Sequence, residues 1–98
     1  MLASDLIVKA LREGEDNAIK ANDLCMITDL KPRELRSTIE YLRRNGVVIC
    51  SSKNGYFYPE TKSELGRYIH QETARERSII HNLRFAQAMF DNWDGDSY

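Results

Sequence analysis

No apolar run in this chain approaches the roughly 20 residues that a membrane-spanning helix needs. The opening stretch MLASDLIVKALREGED lacks the basic start and the small-residue cleavage site of a secretory signal. The expected compartment is therefore the cytoplasm. Cysteine is scarce as well. Cys25 and Cys50 make neither a disulfide framework nor a metal-ligand spacing, so both read as reduced packing thiols. There is no glycine-rich phosphate loop and no Ser/His/Asp or Cys/His set, and the expectation is a non-enzyme without cofactor or metal. His70 and His81 share one expected helix but stand about 16 Å apart along it, too far to share a metal ion. Asp91, Asp94 and Asp96 lack the glutamate that a calcium loop requires at the proper spacing.

Charge of one sign is also missing, since 14 basic residues nearly balance 15 acidic ones for a net charge of −1. The distribution along the chain is uneven. Residues 31–53 carry Lys31, Arg33, Arg36, Arg43, Arg44 and Lys53 against Glu34 and Glu40, a net of +4, while residues 1–19 sum to −2 and the last eight to −3. A local excess of this kind attracts an anion more effectively than the overall balance implies. With 98 residues, 42% of them hydrophobic, the chain can build one domain around a modest core.

The basic excess falls on one strongly patterned helix. Leu35, Ile39 and Leu42 recur at helical spacing within Lys31–Asn45. Pro32 suits the first helical position and Gly46 the closing one. Arg33, Arg36, Ser37, Glu40 and Arg44 take the opposite side, with Tyr41 near the boundary. A preceding short helix, Ala21–Asp29, is expected to bury Leu24 and Ile27, with Leu30 anchoring its exit. Only Asp29-Leu30-Lys31 separates the two, so they must cross steeply as in a helix-turn-helix. Asp29 there tolerates a left-handed backbone, and Cys25 provides a small side chain at the closest approach. Upstream, Ser4 is the expected N-cap of a first helix that buries Leu6, Ile7, Ala10 and Leu11 and ends near Glu13–Gly14. Gly14–Asn17 reads as a loop and Ala18–Lys20 as an edge strand.

Beyond Gly46 the β-branched run Val47–Ser51 reads as a strand, Ser52–Gly55 as a turn marked by Asn-Gly, and Tyr56–Tyr58 as the returning strand ended by Pro59. Alternation predicts Tyr56 and Tyr58 inward and Phe57 outward, against the last helix. Thr61-Lys62-Ser63-Glu64 is a capping box, and the helix it opens is expected to continue to Phe90. Leu65, Tyr68 and Ile69 then pack on the domain, Gln71–Ser78 is solvated, and Ile79, Ile80, Leu83, Ala86 and Phe90 form a seam for a second copy of the chain. The competing expectation is that the helix bends back and packs on the first helix.

These residues carry a family likeness. Leu24-Cys25-Met26-Ile27-Thr28-Asp29-Leu30, followed by Leu35, Ile39, Leu42, Gly46 and the hairpin phrase GVVICSSKNGYFYPE, resembles the winged helix-turn-helix domains of bacterial repressors. The likeness is to those of the biotin operon repressor N-terminal type and to small phage and prophage winged-helix proteins. It covers about residues 1–60. It implies a mainly α fold with a small β-hairpin wing, a winged helix-turn-helix domain at 1–60. Beyond it the residues themselves give the expectation of a long C-terminal dimerisation helix at 61–90 and a disordered acidic tail at 91–98. The likeness further implies a double-stranded-DNA-binding protein, a transcriptional regulator or phage accessory factor, with helix 32–45 in the major groove and wing 52–55 on the backbone; the C-terminal seam adds the expectation of a homodimer. By position, Arg33, Arg36, Ser37 and Glu40 are base-contact candidates. Lys31, Arg43, Arg44, Lys53 and Asn54 are phosphate-contact candidates. The competing expectation is a protein-protein adaptor on the same fold, its basic helix merely solvated.

Overall fold

The computed structural model describes residues 2–75 and 80–94. It is mainly helical with one two-stranded antiparallel sheet: α1 (Ala3–Ala10), a 3-10 turn (Glu15–Asn17), α2 (Ala21–Thr28), α3 (Pro32–Arg44), β1 (Cys50–Ser52), β2 (Gly55–Phe57), α4 (Lys62–Arg75) and α5 (Ile80–Asp91). Among the described residues no helix is long and apolar enough to cross a membrane.

Two apolar clusters hold the chain together, and the hairpin lies between them. The first gathers Ile7 and Leu11, Leu24, the α3 stripe Leu35, Ile39 and Leu42, and Ile49. The second gathers Val48, Cys50, Phe57, Leu65, Tyr68, Leu83 and Ala86. Strand alternation divides the hairpin side chains between them. Val47, Ile49, Tyr56 and Tyr58 face the first cluster, whereas Val48, Cys50 and Phe57 face the second. Phe57 is thus 3% exposed. It faces away from the first core and against the C-terminal helices, as expected, and this second face is the inner wall of a second core roofed by α4 and α5.

The expected single helix over residues 61–90 is two helices. α4 and α5 are separate elements that pack on each other, and α5 packs on α3 as well. The Phe85 ring lies 3.8 Å from where a Cβ on Gly46 would sit. A chain of this size leaves Val48, Cys50 and Phe57 uncovered unless its own C-terminal segment doubles back over them, and that burial drives the return. Glu72, in a stretch expected to be solvated, is 5% exposed.

Smaller differences have local causes. α1 begins at Ala3 behind Leu2, so Ser4 lies inside the first turn and caps nothing. The helix stops at Ala10 because the next residues leave it to pair with the hairpin exit. The Arg12 carbonyl accepts from the Tyr58 amide (2.8 Å), and the Gly14 amide donates to the Tyr58 carbonyl (2.8 Å). In α2 the buried line is Leu24 and Thr28, whose hydroxyl donates to the Leu24 carbonyl (2.7 Å). Ile27 falls off that line and is 48% exposed. Asp29 does adopt the left-handed backbone (φ 59°, ψ 31°) that lets α2 turn directly into α3. Ile19 exchanges two backbone hydrogen bonds with Tyr56, each 2.9 Å, and so adds one bridge to the hairpin edge.

The hairpin register is tighter than expected. Cys50 pairs with Phe57, Ser51 with Tyr56 and Ser52 with Gly55, which leaves Lys53 and Asn54 as the two turn residues. Gly55 does a different job from the one Asn-Gly signals. At φ 123°, a Cβ there would sit 2.3 Å from the Ile19 carbonyl oxygen, so the glycine permits the close approach of the bridging segment.

Candidate nucleic-acid interface

α3 is fixed from both ends. Lys31 stands at its N-cap with Pro32 next, and the Lys31 amide donates to Glu34 Oε1 at 2.9 Å. That carboxylate therefore serves the helix terminus. Leu35 and Ile39 are fully or almost fully buried, and Leu42 nearly so, which anchors one face and fixes the direction of the other. On the other, Arg33, Arg36, Ser37, Glu40, Tyr41 and Arg44 are all exposed. Arg44 reaches back to Glu40 at 3.3 Å, an exposed i,i+4 pair of the weak surface kind. Arg33 and Arg36 make no ion pair among the described residues. The four base-contact candidates thus share one solvent face, and its two uncommitted guanidinium groups lie near the helix start.

Arg43 differs from expectation. Its Nε donates to the Ile49 carbonyl (2.9 Å), its Nη2 reaches Ser51 Oγ (3.5 Å), and its guanidinium lies 5.0 Å from the centre of the Tyr68 ring. The segment after Gly46 runs back alongside α3, so a residue one step past Leu42 meets β1 rather than water. Arg43 therefore ties α3, β1 and α4 together. Burial pushes the Tyr68 phenol up, against the opposing pull of the Arg43 charge, so this ring stays neutral beside its cation.

The hairpin tip carries one free cation and one committed amide. Lys53 is exposed and makes no ion pair among the described residues. The Asn54 backbone amide donates to Ser52 Oγ (3.1 Å), and its side chain donates to Glu15 Oε2 (3.1 Å). Glu15 also faces Arg67 at 3.4 Å. Its carboxyl is held below the usual carboxylate range chiefly by a hydrogen bond from Ser52, with Arg67 and Asn54 assisting against partial desolvation. The Glu15 amide in turn donates to Glu64 Oε2 (3.0 Å), and the Glu64 amide donates to Thr61 Oγ1 (3.1 Å) as the capping box requires. Asn54 thus braces the tip onto an anionic group and is withdrawn from the phosphate set.

One element of the surface was not legible in advance. Lys20, Ala21 and Asn22, at the start of α2, face Ser51, Ser52, Lys53, Gly55 and Tyr56 across an open cleft of about 320 Å³. Lys20 and Lys53 flank it. The sequence places these lysines more than thirty residues apart, and the Ile19–Tyr56 bridge helps bring them together.

The expected dimer seam is largely internal. Leu83 is 5% and Ala86 2% exposed within the single chain. Phe90 is half-buried, with Lys62 Nζ 4.8 Å from its ring centre. Ile80 opens α5, and Ile79 lies outside the described residues. α4 supplies the covering surface that a second copy was expected to provide.

Among the described residues no group of three or more His, Cys, Asp or Glu side chains is placed to hold a metal ion. Comparison with protein-family models, curated proteins and solved structures finds no match for the chain.

Proposed function

We propose that this protein binds double-stranded DNA in the manner of a winged helix-turn-helix domain, in a regulator-type role, with α3 in the major groove and the Lys53 tip against the backbone. The observation that carries the reading is the division of α3. Leu35, Ile39 and Leu42 are sunk in the core while Arg33, Arg36 and Ser37 are all exposed on its other side. Thirteen residues make a rod of about 20 Å, and a helix with its side chains is about as wide as the major groove, roughly 12 Å. Arg33 and Arg36, near its N-terminal end, are the base-reading candidates, since arginine pairs bidentately with guanine. Lys31, Lys53 and Lys20 are the phosphate contacts. Arg44 contributes less, because Glu40 partly neutralises it. Arg43 contributes to the fold instead. The reading requires no dimer through Leu83 and Ala86.

Titration of the isotopically labelled chain with a mixed-sequence duplex of about 16 base pairs, followed by NMR, tests this directly. The expected perturbations centre on Arg33, Arg36, Ser37, Lys20 and Lys53, and the Leu35 and Ile39 methyls follow without loss of structure. Folded protein that shows no perturbation at about 50 mM salt, or one centred on α4 and α5, overturns the reading.

A further inference from the structure

Away from the basic face, an open groove of about 490 Å³ runs between the hairpin exit and the end of α5, lined by Val48, Tyr58, Pro59, Met89, Trp93 and Glu13. Its volume falls within the roughly 300–1,000 Å³ of sites that accept small ligands or the anchoring side chains of a peptide. The lining combines rigid and adaptable parts. The Tyr58 hydroxyl donates to the Val8 carbonyl at 2.6 Å, which locks that ring, and Pro59 has little freedom of its own. Val8 beside it is 38% exposed. Met89, also 38% exposed, supplies a flexible thioether that can adjust to different shapes. Trp93 is half-buried and belongs to the residue type most enriched where binding energy concentrates.

The charge around this groove decides its occupant. Glu13 lines it, and Glu60, Asp91 and Asp94, the neighbours of Pro59 and Trp93 in sequence, are exposed. Against these four carboxylates stand Arg12 and Lys62, and the Lys62 ammonium is drawn over the Phe90 ring. An apolar floor inside an acidic rim complements an apolar side chain flanked by cations. DNA is repelled by such a rim.

We infer that the groove formed by Val48, Tyr58, Pro59, Met89 and Trp93 docks a short basic peptide segment of a partner protein, its apolar side chain in the groove and its lysines or arginines on Glu13, Glu60 and Asp94. This surface shares no residue with the α3 face, so it would let the protein hold a partner while α3 engages DNA.

The test is a selection of random dodecapeptides displayed on phage against the immobilised full chain, with counter-selection on Met89→Lys. That substitution changes a partly exposed side chain and places a cation in the groove. Peptides enriched on the wild type should combine at least one leucine, methionine or aromatic residue with two or more lysines or arginines. A synthetic version of the best sequence should shift the Trp93 indole resonance. It should bind at least tenfold more weakly to Met89→Lys, and severalfold more weakly to Glu13→Gln/Asp94→Asn, with that difference shrinking as salt rises. The Arg33→Ala/Arg36→Ala variant should bind it unchanged. Enrichment of acidic or uncharged peptides, binding indifferent to Met89→Lys, or no enrichment over the counter-selected pool would overturn the assignment. None of these outcomes bears on whether α3 binds DNA.

Discussion

The salt dependence of the proposed DNA binding is where the structure and the bare sequence make different numerical predictions. Each phosphate neutralised on B-DNA contributes about −0.9 to the slope of log K against log salt. The basic stretch alone has six cations at residues 31–53, which corresponds to a slope of about −5.4. In the folded chain Arg43 is spent on Ile49 and Tyr68, and Arg44 is shared with Glu40. Lys20 joins through the cleft opposite Lys53. A random duplex offers Arg33 and Arg36 no cognate base, so there both count as phosphate contacts. Lys20, Lys31, Arg33, Arg36 and Lys53 then give about −4.5, and affinity for such a duplex should fall about 500-fold between 50 and 200 mM salt. Arg33→Ala/Arg36→Ala removes two of the five. Its slope should drop to about −2.7, and its loss over the same interval to about 40-fold. Both arginines are exposed, so the variant should keep its stability to within about 0.5 kcal/mol. Fluorescence anisotropy of a labelled duplex measures the slopes, and urea unfolding checks the fold. A double variant whose slope stays within about 0.5 of the wild type would refute the placement of α3 against the phosphates.

Four further outcomes follow from specific contacts. Arg43→Ala should lower stability by about 2 kcal/mol in urea unfolding, since it removes a hydrogen bond to Ile49 and the cation over Tyr68, while leaving the DNA salt slope unchanged. Gly55→Ala should cost about 2–3 kcal/mol and shift the denaturant midpoint accordingly, because the Ile19 carbonyl occupies the space and φ is 123°. Glu15 should make the chain acid-sensitive. Its folded-state carboxyl titrates below the ordinary value of 4.5, so its contribution is fully present above that value and is lost as pH falls through the lower, folded-state one. In urea unfolding followed against pH, Glu15→Gln should therefore be less stable than wild type at neutral pH and converge on it in acid. Cys50 is fully buried, and burial pushes its thiol up to about 12. Iodoacetamide at pH 8 should accordingly label the half-buried Cys25 first and reach Cys50 only on unfolding, as mass spectrometry of the digested protein can show.

Periodicity and end signals revealed a good part of this fold, and their limits are physical. The α3 stripe, Pro32 and Gly46 define a helix regardless of context, because its apolar face and both ends are local. The Asp29 turn was legible for the same reason. Strand alternation separated Phe57 from Tyr56 and Tyr58, but alternation reports only that two faces differ, not that both are covered. A short hairpin whose two faces are each apolar needs two layers to cover it, which favours a last helix that bends back over one that pairs with a second copy. A continuous helix from residue 61 to residue 90 could not have buried Phe57, Cys50 and Leu65 on one side and Leu83 and Ala86 on the other within a single chain. At the candidate site the exposed residues of α3 followed from the buried ones by subtraction. Arg43, Asn54 and Lys20 did not, because their roles depend on partners six to 39 residues away. Charge counted along a sequence sums all cations alike. In the fold, a guanidinium over Tyr68 and an amide on Glu15 are structural groups, and a lysine outside the basic stretch faces the tip of the hairpin. The candidate anion-binding surface is therefore smaller at α3 than its composition implies and extends further, across the cleft to the start of α2.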